Sequence, residues 1–97
     1  MEQTEQLIPL KNVTEEIVQG LVGFLLHGPA YPTYCDCDLC GERTCAIALN
    51  NLQSFYVATA EERDRAFAEL KQPKNMEQIN KQVIHAIHVV GQNKHKK

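Results

Sequence analysis

Apolar residues recur at helical intervals along most of this chain and alternate nowhere for long. Val13, Ile17, Val18, Leu21, Val22 and Leu25 fall three and four apart. That is the stripe of a helix with one buried side, and it predicts a helix from Val13 to Leu26. Asn12 stands three residues ahead of Glu15, the spacing of a capping box, and Gly28-Pro29 ends the segment. A second, shorter helix is expected from Glu42 to Leu52, on Cys45, Ala46, Ala48, Leu49 and Leu52. Phe55-Tyr56-Val57 reads as a short extended piece. Thr59 with Glu62 opens a third helix, Ala60 to Leu70, with Phe67 and Leu70 inward. Pro73 breaks it, and Asn75 with Gln78 caps a fourth, in which Met76, Ile79, Val83, Ala86, Ile87 and Val90 recur up to Gly91. The fold class predicted is all-α: a small four-helix domain over residues 12–91, with a cysteine-rich loop between its first and second helices. Residues 1–11 read as a flexible polar segment and 92–97 as a basic tail.

Composition sharpens this picture. A chain of 97 residues with three Phe, three Tyr and no Trp has material for one lean core. Domains of that size bury only about two-thirds of their unfolded surface and often need a metal, a partner or crosslinks. The formal charge of −2 excludes a generally basic nucleic-acid binder, since the only concentrated positive charge is Lys94, His95, Lys96 and Lys97. The first dozen residues lack the pattern of a signal peptide. The run Leu21 to Leu26 falls far short of the roughly 20 apolar residues that span a bilayer. A cytoplasmic protein with no membrane partner is expected, and there thiols stay reduced and serve as metal ligands or redox centres.

All four cysteines lie in one stretch, Cys35-x-Cys37-x-x-Cys40-x4-Cys45. Four thiols complete the tetrahedral set of a closed structural zinc site. Cys37 to Cys40 has the length of a tight knuckle, and Cys45 would sit in the first turn of the helix that follows, where the helix dipole favours thiolate. The metal set expected is therefore Cys35, Cys37, Cys40 and Cys45 around zinc, with His27 as the substitute for the fourth position. An iron–sulfur cluster is the less fitting metal, because the spacing is not that of the common ferredoxin runs. A cluster of reactive thiols acting as a redox or zinc-release switch is a third reading.

No nucleophile–base set, phosphate loop or paired-carboxylate pocket stands out, so no enzyme is expected. His85 and His88 lie three apart on the last helix and read as a surface pair. Glu15-Glu16 and Glu61-Glu62 complement helix dipoles. The first helix carries Leu21, Val22, Phe24, Leu25 and Leu26 around much of its circumference, which predicts burial on two sides and a homodimer through Leu21, Phe24 and Leu25. Gly20 and Gly23 cost about 1 kcal/mol each in a helix interior, a loss that close approach of two backbones would offset.

Asn12-Val13 with Glu16, the triplet Cys35-x-Cys37-x-x-Cys40, the run Ala46-Ile47-Ala48-Leu49-Asn50 and Tyr56-Val57-x-Thr59 together resemble the late competence development protein ComFB family. The resemblance covers about Asn12 to Thr59. It implies a small helical bacterial protein linked to DNA uptake and, for part of the family, a receptor for cyclic di-GMP. On that implication Asn50 and Tyr56 are the best-placed polar and stacking groups. The chain departs from the family pattern at Arg43 (usually Asp), at Gln53-Ser54 (usually Pro-Pro), at Asn51 (Arg in nucleotide-binding relatives) and at Cys45 (usually apolar). The function expected is a non-enzymatic, zinc-stabilised regulatory binding protein; the alternatives are a thiol redox switch and a structural-zinc module that binds an unknown protein partner.

Overall fold

The computed structural model describes residues 6–31 and 34–92. Its element order is β1 (Leu7–Asn12), α1 (Val13–Leu26), α2 (Asp38–Asn50), β2 (Tyr56–Thr59), α3 (Ala60–Leu70) and α4 (Pro73–Gln92). The four expected helices are present, and α1 and α3 have the bounds that periodicity predicts. The all-α expectation is corrected by a two-stranded antiparallel sheet of β1 and β2. Residues 7–11, expected to be flexible, form one of its strands together with Asn12. Residues 1–5 and the basic residues 94–97 lie outside the described residues.

The sheet pairs Leu7 with Thr59, Lys11 with Val57 and Asn12 with Tyr56. Its register is irregular between Leu7 and Lys11, the stretch holding Pro9, whose nitrogen has no hydrogen to donate. The ladder continues beyond both strands. Ala60 N–H donates to Gln6 O at 2.8 Å and Val13 N–H to Phe55 O at 2.8 Å. Asn12 precedes α1 as expected, but its side chain does not cap the helix. Asn12 Oδ1 instead accepts from Phe55 N–H at 2.9 Å, fastening the start of α1 to the entry of β2. Thr59 does cap α3, its hydroxyl accepting from Glu62 N–H at 3.1 Å. The Glu62 carboxylate reaches past the cap residue to Ala58 N–H at 2.9 Å.

Two helix starts differ from expectation. α2 begins at Asp38, four residues before Glu42, with Cys37 at its N-cap. α4 begins at Pro73 rather than at an Asn75 cap. Proline suits the first helical position, where its missing N–H would have had no partner in any case. Asn75, now inside the helix, donates from Nδ2 to Glu69 O at 2.8 Å and closes the α3–α4 corner.

The core gathers Ile17, Val18 and Val22 of α1, Cys45 and Ala48 of α2, Val57 of β2, Ala66 of α3, and Ile79, Val83, Ala86 and Ile87 of α4. Each helix thus contributes a single stripe. α1 is not apolar all round in effect: Leu21 and Leu25 are partly buried against this core, while Phe24 is 76% exposed. Arg63 of α3 reaches Glu16 of α1 with Nη2 2.7 Å from Oε1. The hydrogen bonds from Arg63 hold the Glu16 carboxyl below its ordinary pKa. Among the described residues no helix is long and apolar enough to cross a membrane.

Candidate metal centre

Three cysteine sulfurs come together where the chain enters α2. Cys35, Cys37 and Cys40 place their Sγ atoms all within 4.8 Å of one another. In a tetrahedral zinc site, with Zn–S near 2.3 Å, sulfurs stand about 3.8 Å apart, so this grouping is close to a ligand set. The local sequence builds it. Cys37 is the N-cap of α2 and its sulfur accepts from Cys40 N–H at 3.5 Å. Gly41 N–H donates to Cys37 O at 2.9 Å. One helical turn therefore points two sulfurs the same way, and Cys35 comes alongside from the irregular segment before it. Thr44 Oγ1 donates to Cys40 O at 2.8 Å and steadies that first turn. The start of a helix carries free N–H groups and partial positive charge, both of which favour thiolates.

Cys40 is 2% exposed, whereas Cys35 and Cys37 are half-buried. Burial, reinforced by the two neighbouring thiols, pushes the Cys40 thiol up to about 11. Such a thiol is protonated at neutral pH, so a metal bound there would have to displace that proton.

Cys45, expected as fourth ligand, stands apart from this group. Because α2 begins at Asp38, Cys45 lies beyond the first turn, five residues after Cys40 and so about 140° around the helix from it. It belongs to the hydrophobic core and is 8% exposed. Burial, with Glu42 and Glu15 nearby, raises its thiol pKa as well. His27, the alternative fourth ligand, follows α1 and has Nδ1 3.0 Å from Asp36 Oδ2. His85 and His88 are both exposed on α4, as expected of a surface pair. His88 meets Tyr34, the residue before Cys35, with Nδ1 3.2 Å from the tyrosine hydroxyl. Tyr31, Tyr34 and His88 form an aromatic cluster with ring centroids 5.2 to 6.1 Å apart. Tyr34 also lies across Gly91, where a Cβ would come within 2.7 Å of its ring. A glycine there lets α4 receive the segment that leads into Cys35.

Sequence reading missed Asp36 and Tyr34. The available signal was a carboxylate between two cysteines with a histidine upstream; nothing in the pattern marks the tyrosine.

Tyr56, 60% exposed, lines an open groove with Phe55, Val57, Glu62, Arg65, Ala66 and Glu69. Asn50, at the end of α2, does not line it. Asn51 Nδ2 is engaged with Ile47 O at 3.0 Å.

Compared with known proteins, the chain matches the family model described as late competence development protein ComFB over residues 11–94. Neither curated proteins nor solved structures give a match.

Proposed function

The chain belongs to the late competence development protein ComFB family, and from that premise we propose that it is a competence-linked binding protein, not an enzyme, whose cysteine segment is folded by zinc. The observation that carries this reading is the grouping of Cys35, Cys37 and Cys40 at the first turn of α2. Three soft thiolates select zinc over calcium or magnesium, which take oxygen ligands. Bound there, zinc supplies no chemistry of its own. It ties the irregular segment at Cys35 to the helix at Cys37 and Cys40, so metal binding energy becomes folding energy for this corner. Native mass spectrometry with metal analysis should show one zinc per chain, lost on chelation. A protein purified with added zinc that carries none would overturn the reading.

The surface through which such a protein binds includes the outer side of α1. Phe24 is 76% exposed there, and a Cβ at Gly20 or Gly23 would meet nothing within 4 Å. A large exposed aromatic beside open backbone fits a second copy of the chain, with Phe24 at its centre and Leu21 and Leu25 at the boundary with the core. Phe24→Glu should give a soluble, folded monomer in sedimentation experiments. An unsubstituted protein that is itself monomeric at high micromolar concentration would overturn the dimer.

A further inference from the structure

Two histidines flank the cysteine segment, and each has one ring nitrogen engaged. His27 Nδ1 meets the Asp36 carboxylate, and His88 Nδ1 meets the Tyr34 hydroxyl. The difference matters to a metal. A metal-bound histidine nearly always gives its other N–H to a carboxylate or carbonyl, which fixes the tautomer and makes the free nitrogen a better donor. An ionised carboxylate can only accept, so in a neutral ring His27 carries its hydrogen on Nδ1 and its lone pair on Nε2. A tyrosine hydroxyl can donate or accept, so the His88 contact fixes no tautomer.

Position separates the two histidines as well. His27 lines a groove of about 490 Å³ between the end of α1 and the start of α2, together with Asp36, Cys37, Asp38 and Cys45; His88 does not line it. Asp36 lies between Cys35 and Cys37 in the chain, so the residue that orients His27 belongs to the ligand segment itself.

We propose that the zinc site is completed by His27 through Nε2, with Asp36 holding its Nδ1–H, giving three sulfurs and one nitrogen. This rests on the zinc reading above. His27 is not within the 4.8 Å spacing that unites the three sulfurs. Its side chain is 66% exposed, so it can swing toward them without displacing a core residue. Cys45 lines the same groove but is 8% exposed and packed in the core, about 140° around α2 from Cys40, so it has less freedom to reach the sulfurs. Three thiolates and a neutral imidazole also leave the zinc site at about −1 rather than −2, a smaller burden beside Asp36, Asp38 and Glu42.

The test uses the full chain loaded with zinc for X-ray absorption and with cobalt for electronic spectra. The unsubstituted protein should show three sulfurs and one nitrogen. His27→Ala should exchange that nitrogen for a water oxygen and weaken zinc binding about 10- to 100-fold or more. Asp36→Asn should keep the donor set and weaken binding by about 10- to 100-fold. Cys45→Ser and His88→Ala should change neither. Four sulfurs in the unsubstituted protein, or a nitrogen that survives in His27→Ala and disappears in His88→Ala, overturns the assignment while leaving zinc in place. Three sulfurs and an oxygen in the unsubstituted protein does the same. An unsubstituted chain that takes up no zinc overturns the zinc reading itself. Far-UV circular dichroism of metal-free His27→Ala, expected to match the parent, separates ligand loss from unfolding.

Discussion

A Cys37→Ser protein should lose its zinc and about 20 °C of melting temperature with it, yet melt no lower than the parent once both are metal-free. The two halves of this expectation have separate causes. A ligand that binds only the folded state at about 1,000 times its dissociation constant adds about 4 kcal/mol. In a domain of this size each kcal/mol moves the midpoint by about 4–8 °C. Losing one of three thiolates removes that increment. Cys37 has a second task as the N-cap of α2, with its sulfur accepting from Cys40 N–H at 3.5 Å. Serine is a better N-cap than cysteine because its hydroxyl accepts a shorter, stronger bond. The substitution therefore breaks the metal site while preserving the helix start. Thermal melts followed by circular dichroism, with saturating zinc and with chelator, measure both halves. A variant that still holds stoichiometric zinc would show that this sulfur is not a ligand. A lower metal-free midpoint would show that Cys37 matters to the fold in some other way.

Ile87→Ala should cost about 2–5 kcal/mol, the range for truncating a large buried aliphatic side chain. Ile87 is 1% exposed and stands with Val83, Ala86 and Ile79 on the side of α4 that faces the core. α4 packs chiefly against α2, the helix that begins at the cysteine cluster. A chain this short has about 5–15 kcal/mol in all, so this one cavity consumes a large share. Ile84 lies on the same helix but is 42% exposed, and Ile84→Ala should lose about 1 kcal/mol or less. Urea unfolding at fixed zinc concentration gives both values. Equal losses at the two positions would mean that α4 does not present the side described.

What the sequence determined by itself was local. α1 and α3 have the bounds their apolar spacing predicts, because a helix is made from contacts three and four residues apart and each stripe is written within its own segment. Thr59 was legible as a cap for the same reason, and so was the clustering of Cys35, Cys37 and Cys40, which need only one turn to meet. Elements whose partners are distant were not legible. Leu7–Asn12 carries Pro9 and no clean alternation, and it becomes a strand only because Tyr56–Thr59 lies beside it. Asn12 looked like a helix cap, yet Phe55 N–H, 43 residues away, took its oxygen. α2 starts earlier than its apolar spacing predicts because cysteine is an unusual N-cap, and that start puts Cys45 past the first turn and in the core. Spacing counts donors but does not say which way each one points. Cys45 is turned from the other three sulfurs by rotation along a helix, and His27 meets Asp36 through the return of the chain after α1. Direction and distance between segments arise only when the helices pack, and packing is set by the whole core at once.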